Sequence, residues 1–107
     1  MVGVTLTNPY PTKYSAAYSI FVAIGAERLR QDIKWGPSAT RGQAMTVRQT
    51  VLTEEVGEVA KAILHGPIDG WAPLREELIQ VAAVAVSMVE MVDGGMAPWG
   101  FEEGEAG

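Results

Sequence analysis

The sequence predicts an all-α fold, a short bundle of three to four main helices completed by homo-oligomerisation. Long stretches carry apolar residues at helical spacing, and Gly- and Pro-rich segments separate them. The β-branched run Val81 to Val86 lies inside a long stretch without a turn signal, which favours a helix over a buried strand. With 107 residues, 48% of them hydrophobic, the chain fits one domain with a modest core. We therefore expect its remaining apolar faces to be buried in a homo-oligomer.

The first half of the chain contains an arm, a helix and a loop. Residues 1–13 include two prolines, which disfavour a helix and predict an extended arm. A helical pattern runs from about Tyr14 to Lys34, and Trp35-Gly36-Pro37 ends it. Gly25 within this pattern is compatible with either a break or a kink in the helix. The apolar stripe consists of Tyr18, Phe21, Val22, Gly25, Leu29 and Ile33. The segment 35–44 is rich in Gly, Pro, Ser and Thr, and we expect a loop long enough to cover a site.

Two further helices follow. Thr46-x-x-Gln49 has the form of a capping box and predicts the start of the second helix, which His65-Gly66-Pro67 is expected to stop. Pro73 fits the first position of the third helix, which is predicted to run to about Val92. Residues 14–93 then form the helical domain, and 94–107 form a Gly-rich acidic tail.

The second helix carries acidic residues along one edge of its apolar stripe. Glu55 and Glu58 lie one turn apart on the same strip, with Glu54 beside Glu58 on the outer side. The stripe itself is predicted to comprise Leu52, Val56, Val59 and Ile63. Partly buried carboxylates take up protons or need a counter-charge, and Lys61 alone does not neutralise three of them.

The third helix repeats the arrangement. Glu77 lies at the edge of its stripe and Gln80 lies a turn further on. The stripe is predicted to comprise Leu74, Leu78, Val81, Ala85, Val89 and Val92. Packing the two helices side by side, with Gly57 allowing close approach, brings Glu55, Glu58, Glu77 and Gln80 together. Their oxygen atoms suit a hard divalent cation. A single Glu-x-x-Glu is more often a solvated helix face, so the prediction depends on there being two such segments.

Glu55-x-x-Glu58 followed by Glu77-x-x-Gln80 resembles the Glu-x-x-Glu, Glu-x-x-Asp signature of the all-α nucleoside triphosphate pyrophosphohydrolases, the MazG-like family. The surrounding words resemble the family too, over roughly residues 20 to 92. The resemblance implies cleavage of a nucleoside triphosphate to the monophosphate and pyrophosphate, dependent on Mg²⁺ or alternatively Mn²⁺. It also implies a helical bundle completed as a homodimer or homotetramer. One position departs from the pattern, because Gln80 stands where the family has Asp. A neutral amide still offers a carbonyl oxygen, but the site loses one negative charge.

In the mechanism that we expect, Glu55, Glu58, Glu77 and Gln80 hold the metal. Glu54 or one of the ligands Glu55 and Glu58 deprotonates a water for attack at the α-phosphorus. Five of the eight basic residues fall between positions 28 and 48, where they can stabilise a leaving pyrophosphate. They are Arg28, Arg30, Lys34, Arg41 and Arg48. We assign Arg30, Lys34, Lys61 and the Trp35 ring to substrate binding; the alternative is a solvated helix end.

Charge and composition limit the remaining classes. A net charge of −5 and a pI of about 4.7 argue against binding a nucleic-acid polymer. The apolar run of the first helix is far too short to span a membrane. The absence of cysteine and of signal-peptide features favours a cytoplasmic location. The main alternative function is a non-catalytic helical module that binds a cation, a nucleotide or a protein; a purely structural bundle has less support.

Overall fold

Three helices make up the part of the chain that the structure, a computed structural model, describes, which is residues 14–36 and 45–95. Helix α1 spans Ser15–Trp35, α2 spans Met45–Asp69 and α3 spans Ala72–Asp93. These ranges contain no strand, so the all-α prediction is confirmed for them. The predicted arm (1–13), most of the predicted loop (37–44) and the tail beyond Gly95 lie outside the described residues.

Helix α1 ends as the sequence predicts. Gly36 has a φ of 87°, a conformation in which glycine has no steric penalty, and its N–H donates to Asp32 O at 2.8 Å. The helix continues through Gly25 without interruption.

Helix α2 differs from its prediction at both ends. It begins at Met45, so Thr46 lies inside the helix and is not its N-cap. It also continues past His65, through Pro67, to Asp69. A proline removes one backbone donor, but here less than one turn follows it, and the Gly70 N–H closes that turn on Gly66 O at 2.8 Å. Gly70, with a φ of 84°, therefore ends the helix in place of His65-Gly66-Pro67.

The corner between α2 and α3 is tight because an aromatic ring packs on a glycine. Gly66 is buried, and a Cβ atom built on it would lie 2.1 Å from Cζ3 of Trp71. Pro73 is the second residue of α3, one position later than predicted, because the helix begins at Ala72. At the other end of α3 the Gly94 N–H donates to Glu90 O at 2.9 Å.

Helix α3 packs against both α1 and α2. A buried arginine ties α1 to α3: Arg28 donates from Nε and Nη2 to the two carboxylate oxygens of Glu90, at 2.9 and 2.8 Å. The same guanidinium also donates to Gln31 and to Asp32. The contact between α1 and α3 is therefore directional and polar.

The faces that the helices turn toward each other are not the predicted apolar stripes. Among the described residues the buried hydrophobic side chains are Ala83, Val84 and Met91, and the buried polar ones are Arg28, Gln31, Arg48 and Ser87. Several members of the predicted stripes are half or more exposed instead: Val56, Ile63, Leu29, Ile33, Val89 and Val92. On α2 the buried Arg48 and Gly66 are five whole turns apart, and Val56 and Ile63 lie roughly 60–80° round the helix from that line. The stripe predictions were therefore wrong for these members within one chain, whereas Leu52, Val59, Leu74 and Val81 are half-buried.

No helix within the described ranges combines the length and the apolar character needed to cross a bilayer.

Candidate metal and phosphate site

The two acidic segments meet where α2 packs on α3. The amide of Gln80 lies between two carboxylates, and its orientation is assigned from the hydrogen bonds that it can make. With Nε2 facing the acids, it donates to Glu55 Oε2 at 2.9 Å and to Glu77 Oε2 at 3.2 Å. The predicted neighbourhood of Glu55, Glu77 and Gln80 is thus present in the structure.

Within this cluster, Glu55 has a carboxyl group with a raised pKa. Its partial burial raises the pKa of its carboxyl group above the ordinary value of 4.5, because the charged form is desolvated. The charge of Glu77 and its hydrogen bond to Glu55 raise the pKa further, and the charges of Glu58 and Glu27 act in the same direction. Excess negative charge is therefore concentrated at Glu55, where a cation would relieve it.

Glu58 and Lys61 border a cavity beside the cluster. Lys61 Nζ lies 3.7 Å from Glu58 Oε1, and both side chains are at least half exposed. The cavity has a volume of about 190 Å³. Its lining is Glu58, Lys61, Ala62, His65, Asp69, Gly70, Pro73 and Glu77. Asp69 belongs to the residues of α2 beyond the predicted stop, and His65 lies at that stop. Neither residue was predicted to belong to the site.

Helix α1 adds an ion pair between Arg30 and Glu27, of which only Arg30 was predicted to belong to the site. Arg30, predicted to bind substrate, donates from Nε and Nη2 to the two oxygens of Glu27, at 2.8 and 2.6 Å. These hydrogen bonds lower the pKa of Glu27 and raise that of Arg30. The Glu27 side chain is only 12% exposed, and it acts electrostatically on Glu55. The signal in the sequence was the i, i+3 spacing of Glu27 and Arg30, which suits an ion pair on one helix face.

Three predicted site residues lie apart from the cluster. Glu54 is exposed on α2. Lys34 and Trp35 are exposed at the end of α1 and contact each other, with Lys34 Nζ 4.9 Å from the centre of the Trp35 ring. They are seven and eight residues beyond Glu27, which is about 10–12 Å along the helix. A direct role for this pair requires a ligand that extends from the cluster to the end of α1.

Gly57 does not have the predicted packing role within the chain. A Cβ atom built on it meets nothing within 4 Å, and the residue is exposed. The α2–α3 contact is made by the strip of Arg48, Glu55 and Gly66, which lies on another side of the helix.

The acidic cluster suits a cation chemically, although its side chains do not surround one point. Among the described residues, no group of three or more His, Cys, Asp or Glu side chains has the arrangement to hold a metal ion. The Gln80 N–H group occupies the position between the carboxylates and supplies partial positive charge there. For Gln80 to act as a metal ligand, its amide must rotate so that Oε1 replaces Nε2.

Comparison of the chain with protein-family models, with curated proteins and with solved structures gives no match. The likeness to the MazG-like pyrophosphohydrolases therefore depends on the residues named above.

Proposed function

We propose that the chain is a metal-dependent nucleoside triphosphate pyrophosphohydrolase that cleaves a (deoxy)nucleoside triphosphate to the monophosphate and pyrophosphate. The observation that carries this proposal is the meeting of Glu55-x-x-Glu58 with Glu77-x-x-Gln80 across α2 and α3, with Gln80 Nε2 within hydrogen-bond distance of both Glu55 and Glu77. The raised pKa of Glu55 supports it, because perturbed carboxylates cluster at sites that bind cations or move protons.

Each residue has a role in this reaction. Glu55, Glu58 and Glu77 would hold Mg²⁺ or Mn²⁺, and Gln80 would assist through its amide oxygen. When bound, the cation polarises the phosphate oxygens and lowers the pKa of water. Glu54, or one of the ligand carboxylates, accepts a proton from the water that attacks the α-phosphorus. The bond from the α-phosphorus to the bridging oxygen breaks, and pyrophosphate leaves with the electron pair.

Basic side chains on two helices are suited to the departing pyrophosphate. Lys61 is next to the cluster and pairs only loosely with Glu58 at 3.7 Å, so it is available to a phosphate. Arg30 is held by Glu27, and a triphosphate would compete with that carboxylate for the guanidinium. Lys34 and the Trp35 ring would contact the part of the substrate farthest from the metal.

The proposed enzyme is a homodimer or homotetramer. At least two members of each predicted apolar stripe are half or more exposed, whereas the buried residues of the described chain include the polar Arg28, Gln31, Arg48 and Ser87. Apolar surface of this extent on a small domain is typical of an interface with another chain. A second copy of the same chain covers all three stripes at once in a symmetric assembly.

A non-catalytic binding module is the second candidate, and one observation favours it. The Gln80 amide already satisfies Glu55 and Glu77 through its N–H groups, so the cluster has a partner without any metal. Such a module would bind a cation or a nucleotide and show stabilisation by the ligand without turnover.

The deciding experiment measures pyrophosphate release from a panel of ribo- and deoxyribonucleoside triphosphates, with Mg²⁺ and with chelator. We expect release only with metal, with the monophosphate as co-product. Glu58→Gln should lower the rate by at least about 100-fold. Glu76→Gln is the matched control, because this neighbouring Glu is exposed and outside the cluster. Turnover retained in Glu58→Gln contradicts the assignment, and absence of release from every substrate supports the binding module.

A further inference from the structure

One charged side chain is enclosed by the protein without the partners that it needs. Arg48, in the first turn of α2, is 1% exposed. Its Nε and Nη2 atoms are inaccessible to solvent and have no hydrogen-bond partner among the described residues. A guanidinium stays protonated inside proteins, so it cannot reduce the cost of burial by losing its charge. An enclosed, unpaired guanidinium edge is therefore strongly unfavourable unless an anion completes it.

Arg28, the other buried arginine among the described residues, donates hydrogen bonds from all three of its guanidinium nitrogens. Arg28 presents the same edge, Nε and Nη2, to both oxygens of the Glu90 carboxylate, at 2.9 and 2.8 Å. That edge is the one that binds an oxyanion through two parallel hydrogen bonds. On Arg48 the same edge has no hydrogen-bond partner among the described residues. The comparison shows which chemistry is missing at Arg48, namely a group with two anionic oxygens.

The position of Arg48 connects it to the acidic cluster. It lies seven residues before Glu55, which is two turns along α2 on almost the same strip. The two Cα positions are therefore about 10 Å apart along the helix axis. Side chains on a helix lean toward its N-terminus, so the Arg48 guanidinium lies farther from Glu55 than the Cα positions do, and only an extended anion held at Glu55 through a cation reaches it.

We infer that Arg48 is a phosphate-binding residue, and that its Nε and Nη2 atoms hold two oxygens of a polyphosphate whose other end is at the acidic cluster. The identity of the ligand rests on the proposed function, whereas the need for an oxyanion follows from the burial of Arg48 alone. The residue completes the site from the end of α2 opposite to the corner at Gly66. A carboxylate from a second copy of the chain is the competing partner, and the experiment separates the two.

The test uses thermal unfolding of the full chain with inorganic tripolyphosphate as the probe, without metal and with Mg²⁺. Arg48→Met removes the charge and keeps a long apolar side chain. We expect it to unfold several degrees above the wild type in the absence of anion, because the unpaired charge is gone. We also expect it to lose the stabilisation that tripolyphosphate gives to the wild type. Arg48→Lys, which keeps the charge without the fork, should bind tripolyphosphate at least tenfold more weakly.

Arg75→Met is the control, because Arg75 is an exposed arginine on α3, and it should respond to tripolyphosphate as the wild type does. A lower unfolding temperature for Arg48→Met without anion overturns the inference and assigns Arg48 to a structural ion pair. An unchanged response of Arg48→Met to tripolyphosphate, or no response of the wild type, overturns it as well. Loss of binding in Arg48→Met without any pyrophosphate release from nucleotides supports the anion site and rejects the proposed hydrolysis.

Discussion

Replacing Glu55 with Gln should stabilise the metal-free protein. The substitution keeps the shape of the side chain and removes a charge that the fold disfavours, since burial and the neighbouring Glu77 both raise the pKa of Glu55. The amide retains an oxygen that can accept the hydrogen bond from Gln80. We expect the variant to be more stable than the wild type near neutral pH, although Glu55 is central to the candidate site.

The size of the effect follows from the geometry. Two oxygens that accept from one nitrogen at 2.9 and 3.2 Å lie no more than about 6 Å apart. Unit charges at that distance repel by about 0.7 kcal/mol in water and about 2.8 kcal/mol at an effective dielectric of about 20. Because Glu55 is only partly buried, we expect roughly 1–2 kcal/mol after solvent screening. For a domain of this size that corresponds to a rise in Tm of roughly 5–10 °C.

The assay is thermal unfolding at fixed protein concentration between pH 4 and pH 8, with chelator and with Mg²⁺. A raised pKa in the folded state means that protonated Glu55 contributes stability below its ordinary value of 4.5, and that this contribution disappears as the pH rises through the folded-state value. The advantage of Glu55→Gln should therefore be small at pH 4 and complete at pH 7.

Magnesium should reverse the order of the two proteins, because it stabilises the wild type and does little for Glu55→Gln. Glu54→Gln is the matched control for charge, since Glu54 is exposed and its change should leave Tm nearly constant. A Glu55→Gln protein that unfolds below the wild type at pH 7 with chelator would refute the electrostatic reasoning.

Two further predictions concern the scaffold. Gly66→Ala should lower the free energy of unfolding by about 1–3 kcal/mol, measured by urea unfolding, because the new Cβ would lie 2.1 Å from the Trp71 ring, where ordinary contact begins at 3.4 Å. Gly57→Ala is the control. Its new methyl group meets open space, so it should not destabilise the protein. Sedimentation velocity should give the mass of a dimer or tetramer, since exposed stripes such as Leu29, Ile33 and Val89 need a cover; a monomer of 11.4 kDa at micromolar concentration would contradict the oligomeric proposal.

Local signals in the sequence were sufficient to place most helix ends. Gly36, Pro73 and Gly94 act through their own backbone chemistry, so their effects are readable without tertiary information. The C-terminal end of α2 could not be predicted from local signals in this way. Gly66-Pro67 is a strong stop signal, but Trp71 packs on Gly66, and the helix continues for the few residues that Pro67 allows.

The proximity of Glu55, Glu77 and Gln80 was predicted better than the packing that surrounds them. Helical spacing places Glu55 and Glu58 on one strip of α2, and Glu77 and Gln80 on one strip of α3. The structure brings Glu55 together with Glu77 and Gln80. Periodicity does not say which face meets which neighbour. Val56, a member of the predicted stripe of α2, is half exposed in the single chain, and the burial of Arg48 was not predicted.

All four proposed metal ligands lie on the single hairpin that α2 and α3 form around Trp71. Contacts between segments that are close in sequence form with little loop-closure entropy and early in folding. The like charges of Glu55 and Glu77 thus meet while the hairpin is closing. We expect their repulsion to slow folding more than it speeds unfolding, because local hairpins of this kind tend to form early. A divalent cation at this place would accordingly act as an accelerator of folding as well as a ligand of the finished protein.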